Sequence, residues 1–176
     1  MSNELIINST QDGCRIALLK NKSLVEFHND DDSDKFKVGD IYLGTVKKIV
    51  QGLNAAFIDI GYEKDAFLHY LDLGPQIKSL NKYSKQAQHS KSTNGLLGKF
   101  KNEPDINKLG KMSQVLTRGQ QILVQVVKEP ISTKGPRLSC ELSLAGRYMV
   151  LVPFSDTGNI SKNITASEER QRLMRL

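Results

Sequence analysis

Two phenylalanines and a histidine stand at alternating positions in two short strand-like segments. In residues 55–60 (AAFIDI), Ala56, Ile58 and Ile60 share one face, while Ala55, Phe57 and Asp59 share the other. In residues 66–69 (AFLH), Ala66 and Leu68 take one face, and Phe67 and His69 take the other. The β-branched face must be the core, so Phe57, Phe67 and His69 are expected on the outside of adjacent antiparallel strands. Neighbouring exposed aromatics are a solubility liability unless something stacks on them. Nucleobases do so with little regard to sequence, at about 1–3 kcal/mol per base. Two alternatives stay open at this level. A one-residue slip through a bulge would turn both rings into the core, and His69 alone reads more readily as an ordinary surface residue.

The charge distribution points the same way. The 176-residue chain carries a net charge of +6. Residues 74–113 hold eight lysines against Glu103 and Asp105, so this one segment accounts for the whole excess. A localised basic stretch fits a polyanionic partner, although a solvated loop would look the same. Other classes are excluded. No apolar run is long enough to span a membrane, and residues 1–20 lack the basic and apolar regions of a signal peptide. Cys14 and Cys140 form no CxxC pair and the three histidines are scattered, so no zinc site is expected. The run Asp30-Asp31-Asp32-Ser33-Asp34 lacks the spacing of a metal loop and reads as an acidic linker. Metal-ligating residues are therefore expected to be absent, and the cysteine usage fits a reduced, cytoplasmic setting.

The elements that must position these residues follow from hydrophobic pattern and turn chemistry. Residues 4–8 (ELIIN), 15–19 (RIALL) and 24–27 (LVEF) read as an antiparallel meander. Strand-like segments follow at 41–49, 55–60 and 66–69, then 121–128 (QILVQVVK) and 137–144. Residues 74–112 show no clear periodicity and read as a long mobile loop, which is unusual in a compact domain. Residues 148–153 (YMVLVP) are apolar again. Ser167-Glu168-Glu169 reads as a capped helix start, and that helix reads as cut off by the end of the chain. The expected divisions are 1–35, 36–144 with the basic insert at 74–113, and 145–176.

Residues 38–69, VGDIYLGTVKKIVQGLNAAFIDIGYEKDAFLH, closely resemble the S1 RNA-binding domain, a five-stranded OB-fold barrel. Gly39, Gly44, Val46, Ile49, Phe57, Asp59, Gly61, Phe67 and His69 sit on that pattern, and the last S1 strand matches around Arg137-Leu138-Ser139 and Leu142-Ser143. The resemblance implies that Phe57 and Phe67 stack on RNA with His69 on the same surface. It also implies that Lys134 in STKGPR is the basic residue joining them, with Arg137 beside it. The flanks, ELIINSTQDGCRIALLKNKSLVEF and SLAGRYMVLVP with GNISKNI, resemble the opening region of bacterial ribonucleases of the E/G family. There an S1 domain interrupts an incomplete RNase H-like subdomain. The implied fold is mainly β, a barrel flanked by strands of that subdomain.

The family resemblance implies a cytoplasmic endoribonuclease that prefers a 5′-monophosphate end. Part of its 5′-phosphate pocket maps onto Gly146, Val150 and Lys162. Lysine at the last position keeps the charge of the family's arginine but loses its two-pronged grip on phosphate. The magnesium-binding aspartates and the zinc-linking cysteine pair of the family match nothing in this chain. Magnesium, zinc and subunit pairing are expected of a downstream part, and the chain is expected to bind single-stranded RNA without cutting it. A stand-alone S1-type module of translation or RNA decay is the alternative, and a protein-contacting barrel is a third.

Overall fold

The computed structural model describes residues 3–10, 13–31, 36–89, 100–155 and 159–175. They form two compact units, residues 1–37 and 38–176.

The first unit is the expected meander. Strands β1 (Asn3–Thr10), β2 (Gly13–Lys20) and β3 (Ser23–Asp31) pair antiparallel in the order β1-β2-β3. Lys20 pairs with Ser23, leaving the two-residue turn Asn21-Lys22 with φ values of 50° and 65°. Positive φ at both turn residues matches the right-handed twist of a hairpin, and Asn tolerates it. Strand β3 runs on to Asp31, so the acidic linker begins later than the sequence indicates. Residues 32–34 of that linker lie outside the described residues.

The second unit is built on a closed five-stranded barrel of OB-fold type. Its strands are β4 (Ile41–Val50), β5 (Ala55–Asp59), β6 (Ala66–His69), β7 (Gln121–Lys128) and β8 (Arg137–Ser139). They close in the order β4-β5-β6-β8-β7, with β6 and β8 parallel and the other pairs antiparallel. Val46, Ala56, Ile58, Leu68, Ile122, Val124, Val126 and Leu138 fill the interior at 1% exposure or less. Gly44 faces that core, where a Cβ would lie 2.5 Å from Ile58 Cγ2. Any side chain there must displace close-packed neighbours. The last strand is shorter than 137–144. Leu142 N–H turns back onto the Cys140 carbonyl at 3.0 Å, and the Gln125 amide clamps Ser143 through both its oxygen (2.8 Å) and its nitrogen (3.0 Å).

Among its described residues the basic insert carries two helices that its composition does not suggest. Helix α1 (Ile77–His89) packs Ile77, Leu80, Asn81 and Ser84 inward. That spacing is a helical stripe, but half of it is polar, which hides the apolar period. Helix α2 (Met112–Val115) buries Met112, and Leu116 follows it into the core. Residues 90–99, including Lys91 and Lys99, lie outside the described residues.

Beyond the barrel, β9 (Leu144–Ala145), β10 (Met149–Leu151) and β11 (Asn159–Ile160) form a small sheet ordered β11-β10-β9. Phe154 joins Tyr83 of α1 and Phe100 in an aromatic cluster, with centroids 5.8 and 5.2 Å away. This contact ties the returning segment to the insert. Helix α3 (Ser167–Met174) starts with Ala166 as its N-cap and no side-chain cap, so Ser167 does not act as the capping residue. Arg170 Nη1 donates to the Ser161 and Ile164 carbonyls, both at 3.1 Å. Burial pushes the Cys140 thiol well up, which keeps it protonated and unreactive. Among the described residues no helix is long and apolar enough to cross a membrane.

Candidate nucleic-acid interface

Strand parity places the two phenylalanines outside the barrel. In β5, Ala56 and Ile58 are buried while Phe57 and Asp59 are partly exposed; Ala55, expected on the outward face, is buried as well. In β6, Ala66 and Leu68 are buried while Phe67 and His69 are partly exposed. Phe57 lies directly opposite Phe67 in the β5–β6 pairing. Their rings meet edge to face, 5.8 Å apart at 73°, an arrangement in which the positive rim of one ring meets the negative face of the other.

A β-bulge in β4 supplies the first cation. Val46 pairs with Ile58 and Lys48 with Phe57, so Lys47 is the extra residue. The bulge lets two consecutive lysines point outward where strict alternation would bury one. Lys48 Nζ sits 4.8 Å over the Phe57 ring. Lys47 instead pairs with Asp59 at 3.0 Å. The Gly61 N–H donates to Asp59 Oδ1 at 3.0 Å, and that bond, with Lys47 second, holds the Asp59 carboxyl below the ordinary carboxylate range. Asp59 thus stays ionised and is neutralised by Lys47, while Lys48 is left to face the rings.

Two loops complete the surface. The β5–β6 turn contributes Lys64 and Asp65. The β7–β8 loop, closed by an Ile131–Lys134 bridge with Ser132 at φ 52°, contributes Thr133, Lys134 and Gly135. Gly135 lets these loops touch. A Cβ there would collide with the Asp65 carbonyl oxygen and lie 3.0 Å from the Lys64 carbonyl oxygen. Arg137 opens β8 opposite Phe67, and its Nε and Nη2 both donate to Asp72 Oδ2, at 3.1 and 2.9 Å. The result is an open cavity of about 650 Å³ with Phe57 and Phe67 in its wall, Lys48, Lys64, Lys134 and Arg137 around it, and Asp65 as the one carboxylate. Such a surface offers aromatic faces for flat rings and cations for an accompanying chain of negative charge.

Of the residues expected from sequence, the fold brings Phe57, Phe67, Lys134 and Arg137 to this one cavity. His69 shares the face but is not part of its lining. Its Nδ1 accepts from the Leu71 N–H at 3.2 Å, which fixes the ring at the start of the turn after β6. Gly146, Val150 and Lys162 lie elsewhere, on the β9–β10–β11 sheet and the loop after it. Gly146 N–H donates to the Met149 carbonyl at 2.8 Å, Val150 pairs with Ala145 and Asn159, and Lys162 is exposed. Sequence reasoning missed Lys48 and Lys64. The Lys47-Lys48 pair inside a strand was the available signal, since two adjacent lysines cannot both face out without a bulge. Among the described residues no group of three or more His, Cys, Asp or Glu side chains converges to hold a metal.

No family model matches the chain. Similar curated proteins are ribonuclease G of Haemophilus influenzae, 36% identical over 173 residues, and ribonuclease G of Escherichia coli, 34% identical over 176 residues. These alignments cover 98% and 100% of this chain. Ribonuclease E of a Synechocystis species is 40% identical over 141 residues, 80% of the chain. The chain spans about a third of the length of the ribonuclease G relatives (31% and 32%) and 17% of the ribonuclease E.

Proposed function

The chain belongs to the ribonuclease E/G family, and from that premise we propose that its barrel is an S1-type domain that binds single-stranded RNA by stacking bases on Phe57 and Phe67. One observation carries this reading: an edge-to-face phenylalanine pair on the barrel exterior, ringed by four cations and a single carboxylate. A base enters against the rings. Lys48, already over the Phe57 face, approaches its phosphate or its π-face, while Lys64 and Lys134 attract the backbone from the two loops. Arg137 spends its Nε–H and one Nη2–H on Asp72, and its remaining N–H groups are the donors for RNA. A duplex keeps its bases stacked within itself and offers no free faces, so single strands are preferred.

In the full-length family protein this region would hold RNA for cleavage by residues outside 1–176. On this reading residues 1–176 bind RNA and do not cut it. The test is fluorescence titration of the purified chain with a single-stranded RNA and with the same RNA in duplex form, with and without magnesium. Preference for the single strand, without cleavage in magnesium, is expected. Equal affinity for the duplex would overturn the stacking mechanism. Metal-dependent cleavage abolished by a point change within the chain would overturn the division of labour. Weakening of binding with salt separates this reading from a largely apolar protein contact.

A further inference from the structure

We propose that Phe154 is the catch of a conformational strap: the returning segment closes over helix α1 by seating one strained aromatic residue, and strap and helix open and close as one unit. The device lies within the unit 38–176 and shares no residue with the phenylalanine cavity of β5 and β6.

The strap turns at residues 152–155. The Ser155 N–H donates to the Val152 carbonyl at 3.2 Å, with Pro153 second in the turn and Phe154 third at φ 64°. That is the pattern of a type II turn, whose third position takes Gly or Asn because its φ is positive. A bulky residue there is strained, and such a conformation persists only where its surroundings hold it. The seat of the ring does the holding. Phe154 meets Tyr83 at 5.8 Å and 63° and Phe100 at 5.2 Å and 41°, while Tyr83 and Phe100 meet each other edge to face at 5.8 Å.

The seat belongs to the insert and is stitched together without Phe154. Lys82 Nζ donates to the Lys101 carbonyl at 2.9 Å and to Glu103 Oε1 at 2.6 Å, and it stands 5.4 Å from the centre of the Phe100 ring. The Glu103 N–H donates to Ser79 Oγ at 2.9 Å. These bonds hold the chain around Phe100 against α1, so Tyr83 and Phe100 form a slot that a third ring can enter or leave. Behind the catch, Val152 and Pro153 share a narrow cleft with Ile77 and Leu80 of α1.

Two opposed terms make this contact a catch. Aromatic packing holds the Phe154 ring in, and its backbone, relaxed at negative φ, favours letting it out. All three rings are partly exposed, and none of them belongs to the set that fills the barrel, so the slot can open while the barrel stays closed. The sheet behind the strap depends on it. Strands β9, β10 and β11 are two or three residues long, and a sheet that small is marginal unless it packs against a helix. Helix α3 reaches the edge strand β11. The strap, which continues β10, links the middle strand to α1.

The experiment is native-state hydrogen exchange, read segment by segment, on the whole chain and on Phe154→Gly, Phe154→Asn, Tyr83→Ala and the Phe154→Gly/Tyr83→Ala pair. Glycine and asparagine suit the turn, so they remove the ring while relieving the backbone. Each should speed exchange in α1 and β10 together, by roughly tenfold or more, and leave β4, β5 and β6 unchanged. Tyr83→Ala should do the same, and the pair should give less than the product of the two single effects, since both break one contact. If Phe154→Gly or Phe154→Asn leaves exchange unchanged or slows it, strain outweighs the ring and there is no catch. If β10 speeds up while α1 does not, strap and helix are not one unit. Independent effects of Phe154 and Tyr83 would mean two separate contacts, which refutes a shared catch. Equal loss of protection in the barrel strands would place the cluster in the global core, and that too refutes the strap.

Discussion

Replacing Phe57 with alanine separates stacking from packing, because the two roles move different quantities. The ring is partly exposed, and it meets the edge of Phe67 at 5.8 Å and Lys48 Nζ at 4.8 Å. Losing an edge-to-face pair costs about 0.5–1.5 kcal/mol and losing an exposed cation–π contact about 0.5–1 kcal/mol. These two contacts together are worth about 1–2.5 kcal/mol, against about 3–5 kcal/mol for truncating a core phenylalanine. In a chain of this size, each kcal/mol lowers Tm by about 2–4 °C. RNA affinity should fall by about 1–3 kcal/mol, or roughly fivefold to 150-fold. Because the rings touch, Phe57→Ala and Phe67→Ala are expected to be non-additive in binding. Anisotropy titration and thermal melting of the same preparations decide the matter. A folded Phe57→Ala chain that binds RNA at full strength would refute the stacking platform. A melt lowered by a core-sized amount would refute the assignment of faces.

Four further substitutions probe the groups around the rings and the insert. Lys134→Ala should weaken binding and reduce the salt slope by about 0.7; an unchanged slope in a salt titration would show that Lys134 meets no phosphate. Gly135→Val should push the Lys134 loop off the Asp65 carbonyl and lower RNA affinity at least as much as Lys134→Ala, whereas wild-type affinity would mean that the close approach is incidental. Asp72→Asn removes the charge that engages Arg137, so binding should tighten and its salt slope steepen; weaker binding would show instead that Asp72 positions Arg137. Leu80, 5% exposed on α1, should cost about 2–5 kcal/mol when cut to alanine, measured by urea unfolding, and a loss below about 1 kcal/mol would show that the insert detaches freely from the barrel.

Much of the site was legible locally. Period-two alternation in 55–60 and 66–69 assigns Ile58 and Leu68 inward and Phe57 and Phe67 outward, because a strand offers only two faces and the β-branched one is buried. The meander and its Asn21-Lys22 turn were legible for the same reason, since turn chemistry and alternation act over a few residues. The family pattern added the barrel and Lys134, which no local period would have tied to Phe67.

Other features depend on contacts between distant segments, which no local pattern records. Helix α1 was hidden because Asn81 and Ser84 occupy its buried stripe, and small polar residues break an apolar period even when tertiary packing covers them. The outward turn of Lys48 depends on a bulge at Lys47, a register shift defined only against β5. The end of the last strand is decided by Gln125 clamping Ser143, and Arg137 is engaged by Asp72, 65 residues away. Alternation and turn chemistry are properties of neighbouring residues, so sequence alone determined the meander, the segments 55–60 and 66–69 as strands, and the outward turn of Phe57 and Phe67. Bulges, clamps and loop-to-loop approaches form only once the barrel closes, so the tertiary structure alone decided that Lys48 and Lys64 join Lys134 and Arg137 around the two rings.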